Sequence, residues 1–285
     1  MLFREAVHSH ARRPITRACC PSCCALMSLQ LGRWRRSSTP RVLSGYADAI
    51  VMRVFSHKML EEVSQAATVP VTNALSDDHH PCLALADVLT IRENFGTLDG
   101  IALAYCGDAN NVAHSLMEVG AVMGMHIAVA CPPGYRPDPE IESRAADMAA
   151  ESGGSIHVVG DPYDAVRGAD VVYSDVFVSM GDDADAAERQ RIFGSYQVTA
   201  DLMAAAKPCA IFMHCLPAHR DEEVAADVID GLQSVVFQQA ANRLPTEQAL
   251  LYALRKRNPG GASAEQTEGL VPRHDHSPHR SGPPR

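Results

Sequence analysis

Residues 101–116 read IALAYCGDANNVAHSL, an apolar run of strand length that ends in a glycine, passes through a polar turn and enters a helix. Gly, Asp and Asn punctuate such a run because their side chains or their freedom suit turns. The same unit recurs downstream. Strand-like runs stand at HIAVAC (126–131), SIHVV (155–159), DVVYS (170–174) and CAIFM (209–213), with a short SVVF at 234–237. Between them, Asp138-Pro139 opens a helix that closes at Gly153-Gly154, Asp161-Pro162 opens a shorter one, and Thr199 can cap ADLMAAA. A capping Asp or Thr with Pro at the first helical position marks a helix start. Strands alternating with helices of this size predict a parallel, doubly wound sheet covered on both faces.

Upstream, HPCLALADVLTIRENFG (80–96) has an apolar period near 3.6 and predicts a long helix feeding that sheet. Residues 41–75 are expected to hold a helix over RVLSGYADAIVMR, a second over SHKMLEEVSQAA and a strand over VPVTNAL, the end of another α/β unit. After the last strand, TEQALLYALRK predicts a closing helix. The expected fold is α/β: two α/β domains with parallel sheets, the second a complete doubly wound, Rossmann-like domain and the first truncated. The expected divisions are a basic segment (1–40), the remainder of a first domain (41–95), a second domain (96–240), a helix packing back on the first (241–257) and a disordered tail (258–285). The tail expectation follows from its Pro, Gly, Ser and His content.

Composition excludes several classes. Hydrophobic residues make up 46% and charged residues 21% of 285, a balance that can fill a core. The apolar runs fall far short of the ~18 residues of a membrane span. Five of nine cysteines (Cys82, Cys106, Cys131, Cys209, Cys215) stand singly, which fits a reducing cytoplasm. Cys106 and Cys209 are expected to be small buried packing residues. Residues 1–58 carry ten Lys/Arg against two Asp/Glu within a chain of net charge −9. Such a start occurs in transit peptides and nucleic-acid arms, with an unusual N-terminus as the plainer account. The cluster CCPSCC lacks a second ligand pair at zinc spacing, so no metal is expected there. Neither a nucleic-acid nor a membrane partner is expected.

In a doubly wound sheet, ligands bind beyond the carboxyl ends of the strands. Three polar clusters fall there: GDANN (107–111), SDVFVSMG (174–181) and HCLPAHR (214–220). GDANNV lacks the later glycines of a dinucleotide fingerprint, and no nucleophile elbow, phosphate-cradling P-loop or HExxH helix is present.

Together, HPC followed by LALADVLTI, then GDANNVAHSL, DVFVSMG, FMHCLPAHR and VVFQQAANR resemble, in order and spacing, the ornithine carbamoyltransferases. The resemblance covers about residues 41–255, and the SMG and HCLP motifs are specific to the ornithine branch. It implies transfer of a carbamoyl group from carbamoyl phosphate to the δ-amine of L-ornithine, giving citrulline and phosphate in arginine metabolism. It also implies a cytoplasmic homotrimer with no metal or organic cofactor. By the same resemblance, Asn111, Asp175, Ser179 and Met180 bind ornithine, with Asp175 set for the α-ammonium. Arg53, His80, Cys215, Leu216 and Arg243 hold carbamoyl phosphate, and Cys215 lies beside the reacting groups as a proton partner. Arginine suits phosphate because its planar fork donates two hydrogen bonds at once. A cation near Cys215 would lower its pKa. His219 and Arg220 are expected to serve only the loop.

The pattern is broken in places. The family's Ser-Thr-Arg-Thr phosphate segment has no counterpart; the nearest stretch, PITRA (14–18), lacks its flanks. Leu83 stands where the family usually has Gln, and Ala241 where it usually has an acid. Codons for RWRRSSTP (33–40), read one frame over, can encode Val-Glu-Lys-Ile-Ile-Asp-Thr-Ala, which would suit the helix before RVLSGY. Two functions therefore follow from the sequence: an active transferase, or an ornithine-binding remnant without turnover.

Overall fold

The computed structural model describes residues 38–178 and 186–257. In chain order these form α1 (Thr39–Ser44), β1 (Ile50–Arg53), α2 (His57–Ala66), β2 (Val71–Leu75), α3 (Pro81–Phe95), β3 (Ala102–Cys106) and α4 (Asn111–Met123). Then come β4 (His126–Ala130), α5 (Pro139–Ser152), β5 (Ser155–Val159), α6 (Pro162–Val166) and β6 (Val171–Ser174). The chain continues through α7 (Ala186–Phe193), α8 (Ala200–Ala204), β7 (Ile211–His214), α9 (Ala226–Ile229) and α10 (Val236–Arg257).

Five strands form one parallel sheet in the order β5-β4-β3-β6-β7. β3 lies in the middle. The chain winds outward through β4 and β5, returns, and winds the other way through β6 and β7, so strand order reverses between β3 and β6. The carboxyl ends of those two strands frame the crevice where such sheets bind ligands. The period of two is plain in the core. Leu103, Tyr105, Val171, Tyr173 and Met213 face α3 and α4, while Ala104, Cys106, Val172 and Phe212 face α6 and α8. Burying one large apolar side chain contributes ~1.5–3 kcal/mol, so both faces hold the sheet.

The predicted helix starts are observed. Asp138 Oδ1 accepts the amides of Glu140 and Ile141, Asp161 caps α6 and Thr199 caps α8. Two predicted elements are corrected. The helix-like stretch 41–53 is a short helix followed by β1, because Ile50–Arg53 pairs in parallel with Val71–Leu75 and buries Ile50 and Met52 against Leu60 and Val63. The strand-like SVVF makes only an isolated bridge, Phe212 with Ser234, before α10 begins at Val236. α10 then runs unbroken through residue 240, where the sequence suggested a division. Cys209, expected to be buried, is exposed, whereas Cys106 is buried.

β1 and β2 form a separate two-stranded parallel sheet. It is joined to the larger unit by the 76–80 loop: Asn111 Nδ2 donates to the Ser76 carbonyl (2.8 Å) and the His80 amide donates to Ser115 Oγ (2.7 Å). The N-terminus of α4 thus carries the entry to α3.

Candidate active site

Asp175 follows β6 directly and is buried at the strand-order reversal. Its Oδ1 accepts the Cys215 thiol (2.8 Å) and the Val176 amide (2.7 Å), and its Oδ2 accepts Asn110 Nδ2 (3.2 Å). Asn110 is fixed in turn, because its Oδ1 accepts the Val112 amide (3.0 Å) as the cap of α4. Three polar clusters noticed in the sequence therefore meet at one carboxylate.

Cys215 follows β7 and is partly buried. Burial, then the charge and the acceptor oxygen of Asp175, then Asp87, push its thiol well above the ordinary value. This corrects the expectation of a neighbouring cation lowering that pKa, since the charges that act on the sulfur are carboxylates. Cys215 is a neutral thiol and a hydrogen-bond donor. At the next residue the chain takes a left-handed turn: Leu216 has φ 55° and its amide donates to His214 Nδ1 (2.9 Å). A left-handed leucine is costly and persists only where surroundings enforce it. Here the enforcing groups include Gln239, whose Oε1 accepts the His214 amide (3.0 Å), and the fully buried Glu223, 3.3 Å from His214 Nε2.

A second group lies at the start of α3. His80 is its N-cap residue, and burial, then Arg243, then Arg53, lower its pKa to about 4. At neutral pH this imidazole is uncharged, and its Nδ1 has no hydrogen-bond partner among the described residues. Three of the five residues expected to hold the donor substrate, Arg53, His80 and Arg243, thus act on one another, with Arg243 also donating to Glu247 (3.2 Å). Asp87 lies between the groups. It is fully buried, accepts from Gln239 Nε2 (2.7 Å) and Tyr173 Oη (3.2 Å), and is lifted to about 7 by burial. Arg243 opposes that rise and Asp175 adds to it, so this one carboxyl senses both halves.

Of the residues expected from the sequence, Arg53, His80 and Arg243 form one set and Asp175 with Cys215 another. Leu216 adjoins the second. Asn111 begins α4, and one N–H of its side-chain amide donates to the Ser76 carbonyl. Ser179 and Met180 lie outside the described residues. Sequence reasoning missed Asn110, Asp87, Gln239 and Arg189. Arg189 is buried, pairs with Asp108, donates to the Phe177 carbonyl (2.6 Å) and lies over the Tyr135 and Phe193 rings. It ties the turn after β3 to the segment after β6. His219 and Arg220 serve the loop as expected: the His219 amide donates to Glu223, and Arg220 pairs with Asp230.

A carboxylate–thiol pair at the sheet crevice and a neutral imidazole acted on by two arginines, both coupled to Asp87, offer an acceptor for a cationic group and donors for an anionic one. Comparison with known proteins agrees. The model described as aspartate/ornithine carbamoyltransferase, Asp/Orn binding domain, matches residues 99–254, and that of the carbamoyl-P binding domain matches residues 24–93. An ornithine carbamoyltransferase of Symbiobacterium thermophilum is 55% identical over 224 residues, spanning 78% of this chain and 72% of that protein. The anabolic enzyme of Pyrococcus furiosus is 54% identical over 224 residues, 78% of this chain and 71% of its own. The solved ornithine carbamoyltransferase structure from Pyrococcus furiosus superposes with a TM-score of 0.76 at 54% identity, covering 78% of this chain and 72% of that one. The chain belongs to the aspartate/ornithine carbamoyltransferase family.

Proposed function

We propose that the chain is an ornithine carbamoyltransferase, moving the carbamoyl group of carbamoyl phosphate to the δ-amine of L-ornithine. The observation that carries this is Asp175 and Cys215, 2.8 Å apart at the carboxyl ends of the strands, with His80 held neutral by burial and two arginines and with Asp87 coupled to both groups. Amine attack on the carbamoyl carbon builds charge on its oxygen, and phosphate must then leave. Positioning and preorganised electrostatics supply such a reaction's acceleration.

Each side chain then has a role. Asp175, with Asn110 holding its second oxygen, takes the α-ammonium of ornithine, and Asn111, Ser179 and Met180 complete that side. Arg53 and Arg243 take the phosphate. Neutral His80 donates to the carbamoyl oxygen. The Leu216 amide is already engaged with His214, so its carbonyl is what it offers, an acceptor for the carbamoyl NH2. Cys215 remains a thiol, hydrogen-bonds the incoming amine and forms no covalent intermediate.

The chain works in arginine biosynthesis in the cytoplasm, a setting supported by its free cysteines and by the anabolic relative. A homotrimer is supported by the exposure of Tyr46 and Phe55 on the smaller unit. A second reading, ornithine binding without turnover, is favoured by the lack of a Ser-Thr-Arg-Thr segment in the sequence. Citrulline release by the purified chain separates them: turnover that Cys215→Ala lowers supports the transferase, and calorimetric ornithine binding with no citrulline supports the second reading.

A further inference from the structure

Three side chains outside the group-transfer site meet beside the 76–80 loop. One ring nitrogen each of His57 and His79 and one carboxylate oxygen of Asp78 lie within 4.8 Å of one another. The His57 and His79 rings are 5.1 Å apart, centroid to centroid.

The neighbours of these rings leave the His79 nitrogens without partners. His79 Nε2 lies 3.2 Å from Glu118 Oε2 without a hydrogen bond between them, and neither buried ring nitrogen of His79 has a hydrogen-bond partner among the described residues. His57 Nδ1 lies 2.9 Å from Ser76 Oγ, and that hydroxyl can donate to the His79 carbonyl (3.3 Å). The same oxygen accepts from Asn73 Nδ2 (3.0 Å) and from the His79 amide (3.3 Å), so it anchors the His57 ring to the loop. A histidine that donates one N–H to a carboxylate or hydroxyl while presenting the other nitrogen is the usual arrangement around a bound transition metal. Packing alone does not call for it: an imidazole filling space would be expected to satisfy its buried nitrogen. All three residues are partly buried and the His79 ring nitrogens are enclosed, so an ion binds there after shedding most of its water.

We propose that His57, Asp78 and His79 form a binding site for a divalent transition ion of the zinc class. Two imidazoles and a carboxylate suit such an ion, and three protein ligands leave a position open for water. The ion takes no part in carbamoyl transfer. It ties the first residue of α2 to the loop that immediately precedes His80, and so stiffens the approach to α3.

The test uses the full-length chain titrated with Co2+, read by its d–d absorption, because nitrogen and oxygen ligation lacks the thiolate charge-transfer band that cysteine sites show. One Co2+ per chain without that band is expected. His79→Phe and His57→Ala, checked for native circular dichroism, should abolish it. Asp78→Asn, which leaves both rings in place, should weaken it at least ~10-fold, and Glu118→Gln, which removes the carboxylate 3.2 Å from His79 Nε2, by ~10–100-fold. An unchanged nitrogen and oxygen spectrum in His79→Phe or Asp78→Asn would overturn the proposal, as would cobalt bound only with a thiolate band.

Discussion

At the scale of residues, Cys215 and Asp175 set each other's state. The thiol donates to the carboxylate, and burial together with that negative charge raises the Cys215 pKa. At pH 8, iodoacetamide should therefore alkylate exposed Cys209 well before Cys215, as peptide mapping would show. Asp175→Asn removes the charge, lowers the thiol pKa and should speed alkylation of Cys215, while ornithine binding weakens by ~2–5 kcal/mol through loss of the ammonium's partner. Equal Cys215 rates in both proteins would show that the carboxylate does not control the thiol. Asp175 and Cys215 could be picked from the sequence through the family resemblance of the polar clusters that end their strands. Asn110 could not be told from Asn111: they are adjacent, and only the placement of α4 sends one to Asp175 and the other to Ser76.

At the scale of elements, the Asp87–Gln239–Tyr173 network joins α3, α10 and β6 and continues to the amide of His214 at the end of β7. Gln239→Leu leaves Asp87 Oδ1 and the His214 amide unpaired and should destabilise the fold by ~1–3 kcal/mol, measured by urea unfolding. It should also lower turnover by displacing the Cys215 turn. Asp87 binds its proton more tightly folded, near about 7, than unfolded, near ~3.9. The native state therefore holds the extra proton between those values, and this carboxyl's stabilising contribution is lost as pH rises through about 7. His80 acts oppositely: its pKa falls to about 4, so its contribution is gained as pH rises from there to ~6.5. Asp87→Asn should leave stability rising across that window and flat between ~6.5 and 7. An unchanged pH–stability curve would show that Asp87 is ionised in the folded protein. The sequence carried a hint of this network, a lone aspartate in the apolar run of α3. Its partners lay 86 and 152 residues away, beyond any local pattern. Element types were legible where caps and alternation agreed. They failed at 41–53 and 234–237, where pairing with a distant strand or its absence decided the outcome.

At the scale of the whole molecule, the smaller unit supplies Arg53 and the larger one Asp175 and Cys215, with α3 and α10 carrying His80 and Arg243 between them. The order of strands was not readable from the sequence, yet the carboxyl-end rule located the site without it. Tyr46 and Phe55 are 78% and 77% exposed, more apolar surface than a small isolated unit favours. If that surface is covered in the proposed trimer, Phe55→Ser should shift sedimentation equilibrium towards monomer at equal concentration, and an unchanged mass would place the contact elsewhere. The central claim is tested most directly by citrulline formation from carbamoyl phosphate and ornithine, measured for the purified chain beside Cys215→Ala and Arg243→Ala. Turnover by the unaltered chain that falls in both variants is predicted; ornithine binding with no citrulline above the level of either variant would contradict it.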